Sequence, residues 1–143
     1  MPEVFINARF LTQAVTGVQR YAIELVKALD ALIDKGAVGH SFTLLAPKEG
    51  ARDLKLKHIP LKRIGRLKGH LWEQLELPRY TRRHLLLNLC NAAPLRKRKQ
   101  IVTIHDAAVF SMPESYSFGF RNFYRYMLPA LGKSAAKILT VSN

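Results

Sequence analysis

The feature that most constrains the fold of this chain is its alternation of short apolar runs with stretches of helical periodicity. Residues 85–90 and 101–105 are almost wholly apolar and too short for core helices, which is typical of strands covered on both faces. From Val18 to Ile33, apolar residues recur every three or four positions, which indicates an amphipathic helix. Buried strands alternating with helices predict an α/β fold with a Rossmann-like, doubly wound and mostly parallel sheet.

The predicted order of elements is β-α-β-β-α-β-β-α-β, and 143 residues are enough for one compact domain. After the first helix, further helices are predicted at about 70–84, where Pro78 should kink or break the helix, and at about 117–136. The predicted strands cover residues 4–7, 41–46, 56–61, 85–90, 101–105 and 137–141.

The charge of the chain indicates an anionic partner. Lys and Arg total 23 against 10 Asp and Glu, a formal net charge of +13. Nucleic acid, anionic lipid and a phosphorylated substrate all fit this charge. Leu71, Trp72 and Tyr80 lie beside basic residues, a pattern that suits insertion at a lipid interface. Because no recognised nucleic-acid module is present, nucleic acid is the less favoured partner. The excess charge lies mainly in three clusters, at 62–68, 79–83 and 96–99.

The sequence also excludes several classes of protein. One cysteine, Cys90, cannot form an internal disulfide framework or a Cys-based zinc site, and it is expected to be a small buried apolar residue. No apolar run reaches the roughly 18–20 residues of a membrane span, and no secretory leader pattern is present. A cytoplasmic location follows as an expectation, with the inner face of the membrane included.

The first candidate site is the start of the first helix. Thr16 and Gln19 have the spacing of a capping box. A helix N-terminus offers free N–H groups to an anion, and Gly17 would let the anion approach the backbone closely. A plain helix cap explains the same residues equally well. Neither a dinucleotide fingerprint nor a P-loop is present.

Two further candidates follow strands whose carboxyl ends should meet at the ligand-binding edge of the sheet. His105 and Asp106 end the run 101–105, where His105 could contact a polar substrate or be satisfied by a backbone group. Asn91 follows the run 85–90 and could bind sugar hydroxyls or cap a turn. No residues have the spacing of a metal site, and no Gly-x-Ser-x-Gly elbow is present.

These residues belong to an ordered set of motifs that resembles bacterial glycosyltransferases of family 4, of mannosyltransferase-like type. The set extends over nearly the whole chain. Its segments are FINARFL (5–11), TGVQRY (16–21), WEQLELP (72–78), NLCNAAPL (88–95), VTIHDA (102–107), FRNFYR (120–125) and ILTVS (138–142).

The resemblance implies a GT-B enzyme, in which two Rossmann-like halves face a cleft, and transfer from a nucleotide-diphosphate sugar with retention and usually without a metal. By resemblance, Thr16 and Gly17 contact the donor diphosphate and His105 is the catalytic histidine against the donor sugar. Asn91 and Asp106 line the acceptor side. The family often has two glycines in this first loop, where Thr16 here precedes one.

The same resemblance makes residues 1–143 the N-terminal, acceptor-side half, with the donor-binding half outside this chain. The six glutamates include no pair eight positions apart, which is the donor-site pattern of that half. We therefore expect a hexosyltransferase of surface polysaccharide or lipid-linked saccharide assembly that is inactive as these 143 residues alone. An uncovered last strand would favour self-association. The alternatives are a basic nucleic-acid-binding module and a non-catalytic domain that binds sugar or nucleotide.

Overall fold

A computed structural model of the chain describes residues 3–90, 92–104 and 137–140. Six strands form one sheet in the order β3-β2-β1-β4-β5-β6, and every neighbouring pair is parallel. The predicted Rossmann-like, parallel α/β fold is therefore confirmed. The strands are β1 (Glu3–Asn7), β2 (Ser41–Ala46), β3 (Leu61–Arg63), β4 (Leu85–Asn88), β5 (Gln100–Ile104) and β6 (Lys137–Thr140).

The two faces of the sheet carry separate apolar clusters. Alternate residues of a strand point to opposite faces, so Ile6 and Phe5 of β1 belong to different clusters. Helix α1 (Gly17–Asp34) packs Ala22 and Val26 against the Ile6 face. Trp72 and Leu77 belong to the cluster on the Phe5 face. Helical segments therefore cover both faces of the sheet, as the doubly wound architecture requires.

The helical segment of residues 69–80 (the 69–80 helix) has three parts. An α-helical turn, Gly69–Leu71, leads into a π-helical stretch, Trp72–Glu76, and a last α-helical turn, Leu77–Tyr80. Pro78 has no N–H and its ring crowds the preceding turn. The π stretch ends two residues before it, at Glu76. The helix therefore continues through Pro78. It ends at Tyr80 rather than at the predicted residue 84.

The predicted position of the third strand is wrong. Residues 56–61 were expected to be extended and paired, but β3 begins only at Leu61. The carboxylate of Asp30 on α1 accepts hydrogen bonds from the N–H groups of Lys57, His58 and Ile59, at 3.0, 2.8 and 3.1 Å. These groups are therefore not available to a neighbouring strand.

The expected insertion of Trp72 into a lipid interface is also wrong. Its side chain is 0 % exposed, and its indole N–H donates to the carbonyl of Ile64 at 3.0 Å. Leu71, the residue before Trp72, is instead 62 % exposed. The predicted helix at 117–136 lies outside the described residues. Within the described residues, no helix combines the length and apolar character needed to cross a bilayer.

Candidate functional site

The order in which strands are added to the sheet reverses at β1. Strands β2 and β3 lie on one side of β1, and β4, β5 and β6 lie on the other. In open parallel sheets of this order, the connections diverge at this point and leave a crevice at the carboxyl ends of the strands. Asn7 ends β1, Asn88 ends β4, and the two are register partners. The candidate site is therefore built around these two asparagines.

A buried polar network joins the two strand ends to the 69–80 helix. The amide nitrogen Nδ2 of Asn7 donates to Oε2 of Glu73 at 2.9 Å and to Oδ1 of Asn88 at 3.0 Å. The guanidinium Nε of Arg9 lies 3.3 Å from the same Glu73 oxygen. Nδ1 of His70 lies 3.5 Å from the other carboxylate oxygen, a separation longer than an ordinary hydrogen bond. The described site thus contains one buried carboxylate between two basic groups.

Glu73 is held in its ionised form. Its residue is 1 % exposed, and burial by itself would raise the pKa of the carboxyl. His70, the Arg9 guanidinium and the Asn7 amide outweigh that effect and lower the pKa below its ordinary value. An ionised carboxylate accepts hydrogen bonds and donates none, so Glu73 orients Arg9 and Asn7 and is not a general acid here.

The network continues across the sheet to the loop before β5. Nδ2 of Asn88 donates to Oε1 of Gln100 at 3.0 Å. Nε2 of Gln100 donates in turn to the carbonyls of Pro94 and Lys97, at 2.8 and 2.6 Å. Each amide therefore accepts from one neighbour and donates to the next, an arrangement in which hydrogen bonds reinforce one another.

The start of α1 forms as predicted. The capping box of Thr16 and Gln19 is present, with the Thr16 N–H donating to Oε1 of Gln19 at 3.1 Å. The Thr16 hydroxyl donates to that same oxygen. Nε2 of Gln19 donates to Oε1 of Gln13 at 3.1 Å, which fixes the loop between β1 and the helix.

Gly17 has no structural reason to be glycine among the described residues. A Cβ built there would meet nothing within 4 Å, and its φ is not in the left-handed region. Thr16 and Gly17 are exposed. Among the described residues, nothing occupies the space beside Gly17 at the N-terminus of this 18-residue helix, where a group could approach the backbone.

Cys90 packs against α1, and its thiol is protonated at neutral pH. Its sulfur lies 3.8 Å from the carbonyl oxygen of Val18, and burial raises its pKa to about 12. A thiol with that pKa stays protonated at neutral pH, and the protonated form is a poor nucleophile. The prediction of a small, buried apolar residue is met in part, because Cys90 is half-buried.

An open groove of about 420 Å³ lies at the same edge of the sheet, lined by the loops after β1 and β2 and by the start of the 69–80 helix. Lys68 and Glu49 form an exposed ion pair of 3.1 Å across it. No group of three or more His, Cys, Asp or Glu side chains that could hold a metal occurs in residues 3–90, 92–104 and 137–140.

Of the residues predicted to form the site, Thr16 and Gly17 lie at the start of α1, as expected. Asn91, His105 and Asp106 lie outside the described residues, so their relation to Gly17 stays a prediction. The predicted strand 4–7 ends at Asn7, as observed, but Asn88 lay inside the predicted strand 85–90 and instead ends β4. The direct bond between the two amides and the bond from Asn7 to Glu73 were missed, although an acid beside the apolar Trp72 in a helical pattern is a signal for a buried carboxylate.

Comparison of the chain with protein-family models, with curated proteins and with solved structures gives no match.

Proposed function

We propose that this chain is the N-terminal, acceptor-side domain of a retaining GT-B glycosyltransferase. The full enzyme would move a hexose from a nucleotide-diphosphate sugar to a saccharide or lipid-linked acceptor in surface polysaccharide assembly. The observation that carries the proposal is the open N-terminus of α1 at Gly17, on the connection that leaves β1 where the sheet order reverses. The ordered motif resemblance to family 4 supports it independently.

Gly17 is assigned to the diphosphate of the donor. The helix N-terminus has unpaired N–H groups and a partial positive charge, and both favour an anion. The absent side chain leaves the backbone accessible. Thr16, whose N–H is already satisfied by Gln19, would hold the first turn in place while the anion binds.

The remaining roles follow from the resemblance alone. His105 would contact the donor sugar as the catalytic residue, and Asn91 and Asp106 would line the acceptor side. No metal is assigned. The departing diphosphate needs preorganised positive charge, which the family supplies from its other half. We therefore expect the 143-residue chain by itself to bind a nucleotide sugar weakly and to transfer none.

A matched pair of glycine variants tests the assignment of Gly17. Gly17→Ala and Gly39→Ala both place a methyl group where no described residue lies within 4 Å. Binding of UDP-glucose and GDP-mannose would be measured by NMR titration of the chain. Gly17→Ala is expected to weaken binding about tenfold, roughly the contribution of one charge-assisted hydrogen bond, and Gly39→Ala to leave it unchanged.

Equal binding by both variants would show that the diphosphate does not bind at the start of α1. Absence of any binding by the unmodified chain would remove the donor contact from this domain. Sugar transfer by the pure 143-residue chain, detected by mass spectrometry of the acceptor, would contradict the division of labour between two halves.

A peripheral membrane location is part of the same proposal. Leu67, Leu71 and Leu75 recur every four residues and are 36 %, 62 % and 45 % exposed. Arg66 and Lys68, on either side of Leu67, are also exposed. Exposed leucines with cations nearby suit the interface of an anionic bilayer, where an acceptor attached to lipid would be met.

Flotation with vesicles of phosphatidylglycerol or of phosphatidylcholine tests the membrane contact. We expect binding to the anionic vesicles only, and loss of most of it in Leu71→Ser. Leu32→Ser is the control, because Leu32 is also exposed, at 45 %, but lies on α1. Equal binding to both lipids, or equal loss in both variants, would refute this part of the proposal.

A further inference from the structure

A second concave surface lies at the opposite edge of the sheet, before the amino ends of β4 and β5. It is a groove of about 340 Å³. We call it the basic groove, and its lining residues are Pro78, Arg82, Arg96, Lys97, Arg98 and Lys99. Five of these six residues are cationic and none is acidic. An open concave surface with this lining has a strongly positive potential, because low-dielectric walls concentrate the field.

The loop that carries four of these cations is held in place. The buried Gln100 side chain donates to the carbonyls of Pro94 and Lys97. Gln74 adds a second anchor: its Nε2 donates to the carbonyl of Ala93 at 2.8 Å, and its Oε1 accepts from the N–H of Leu95 at 2.8 Å. The loop is therefore already ordered before a ligand binds, so binding costs little additional conformational entropy in the loop.

Lys97 connects the loop to the end of the 69–80 helix. Its residue is 6 % exposed, and its Nζ donates to the carbonyl of Thr81 at 2.7 Å. This bond fixes the loop next to Arg82. Burial, and then the charge of Lys99, lower the pKa of Lys97. The cations of the basic groove thus repel one another in the free protein, and a bound anion would relieve that repulsion.

The exposed cations of the groove have no acidic partners among the described residues. The ion pairs of the described residues are formed by Arg9, Lys68, His58 and His70. None of them includes Arg82, Arg96, Arg98 or Lys99. Three of these four residues are arginines, whose planar guanidinium groups match the geometry of phosphate oxygens.

We propose that the basic groove is a binding site for phosphate groups, with Arg82, Arg96, Arg98 and Lys99 as the residues that bind them. A ligand that carries several negative charges, such as a diphosphate or a phosphate monoester, matches the number of cations and the volume of the groove. The site is separate from the proposed donor contact, since Gly17 follows the carboxyl end of β1 and the groove lies at the amino edge. It therefore does not depend on glycosyl transfer.

The test uses inorganic pyrophosphate as the probe and two charge-matched double variants of the chain. Arg82→Gln with Arg98→Gln removes two exposed cations from the groove. Arg20→Gln with Arg52→Gln removes two exposed cations from elsewhere and changes the net charge equally. By calorimetric titration, we expect the groove variant to bind pyrophosphate at least about tenfold more weakly, and the control variant to bind like the unmodified chain.

Three results would overturn the proposal, provided that circular dichroism shows both variants folded. The first is equal pyrophosphate binding by all three proteins, or none by the unmodified chain. The second is loss of binding in Gly17→Ala but not in the groove variant, which would assign the anion to α1. The third is tight binding of a single-stranded oligonucleotide with no binding of pyrophosphate, which would make this surface a nucleic-acid interface.

A vesicle-binding experiment distinguishes a lipid headgroup from a free phosphate compound as the ligand. If phosphatidic acid vesicles bind the unmodified chain and Leu71→Ser but not the groove variant, the ligand is a lipid headgroup. If pyrophosphate binding is lost in the groove variant while vesicle binding is unchanged, the ligand is a free phosphate compound. Both results support the site and leave the Gly17 assignment untouched.

Discussion

Glu73 is the residue on which the polar interior of this domain depends. It is ionised, buried, and placed between Arg9 and His70 beneath the ends of β1 and β4. A buried charge is tolerated only when its partners outweigh the loss of hydration. The same carboxylate also fixes the Asn7 amide that bridges to Asn88. Removing the charge therefore affects two strands and a helix at once.

Glu73→Gln is expected to destabilise the domain by about 3 kcal/mol, because it leaves the Arg9 guanidinium buried without a counter-charge. The free energy of unfolding from urea titration at pH 7 measures this. Glu24→Gln, at an exposed position of α1, is the control and should change it by less than about 0.5 kcal/mol. Similar values for both variants would contradict a buried ion pair.

The pH dependence of stability provides a second check on Glu73. Its pKa is lower in the folded state than in the unfolded state, so its contribution is complete above the unfolded-state pKa. That contribution is lost as the pH falls through the folded-state value. Between about pH 5 and pH 3, the unmodified chain should therefore lose more stability than Glu73→Gln. Parallel curves for the two proteins would show that Glu73 is not the titrating group.

Asp30 performs a comparable task on the other face of the sheet. Burial would raise its pKa, but the backbone N–H groups of His58, Lys57 and Ile59 lower it. We expect Asp30→Asn to cost about 2 kcal/mol, since an amide oxygen cannot accept all three bonds as well. Asp34→Asn, which removes only an exposed contact to His58, should cost much less in the same urea titration. The reverse order would refute the role of the Asp30 carboxylate.

At the scale of elements, the sequence predicted those that depend on local pattern. The apolar runs at 41–46 and 101–104 became strands, and the Thr16 capping box marked the start of α1. The third strand was misplaced because the conformation of the segment before it depends on hydrogen bonds to Asp30, which lies 27 residues before Lys57. The π stretch was missed because its bonds span one residue more than an α-helical pattern allows for.

The loop before the 69–80 helix gives a prediction at this scale. Gly65 has a φ of +78°, and a Cβ there would lie 2.5 Å from Oε1 of Glu76. That carboxylate accepts the N–H groups of Arg66 and Leu67, so it cannot move aside without losing them. Gly65→Ala should therefore cost about 2–3 kcal/mol, the sum of left-handed strain and lost hydrogen bonds.

Gly36→Ala separates the two contributions. Gly36 has a similar φ of +74°, but nothing lies within 4 Å of the added Cβ. It should cost only the strain, about 1 kcal/mol. Thermal unfolding of both variants measures the difference, and equal costs would show that Glu76 yields freely.

At the scale of the whole molecule, the fluorescence of Trp72 reports on the packing of the 69–80 helix against the sheet. It is fully buried in one cluster with Phe5, Leu45 and Leu86 from three different strands. We expect Trp72 fluorescence and the far-ultraviolet circular dichroism signal to change at the same urea concentration, as in a two-state transition. An earlier fluorescence transition would show that the helix detaches before the sheet unfolds.

The fold as a whole followed from the sequence more readily than the candidate site did. Apolar runs that alternate with helical patterns were sufficient to predict a parallel, doubly wound sheet, whereas the order of its strands was not predicted. The site depends on contacts between residues far apart in the chain, such as Asn7 with Glu73 and Asn88. No local pattern encodes those pairings. The basic groove shows the same limit, since charge clusters at 79–83 and 96–99 were visible but their convergence was not.

The position of β1 in the middle of the sheet has a consequence for how the chain is made. β1 is synthesised before its partners, and the bond from Asn7 to Asn88 spans 81 positions. At a translation rate of about 5–20 residues per second, β1 waits roughly 4–16 s for β4 to be synthesised. During that interval one edge of β1 has no neighbour, and Asn7 has no strand-end partner. Synthesis on the ribosome therefore leaves β1, whose last four residues are buried in the finished domain, with one unpaired edge until β4 has emerged.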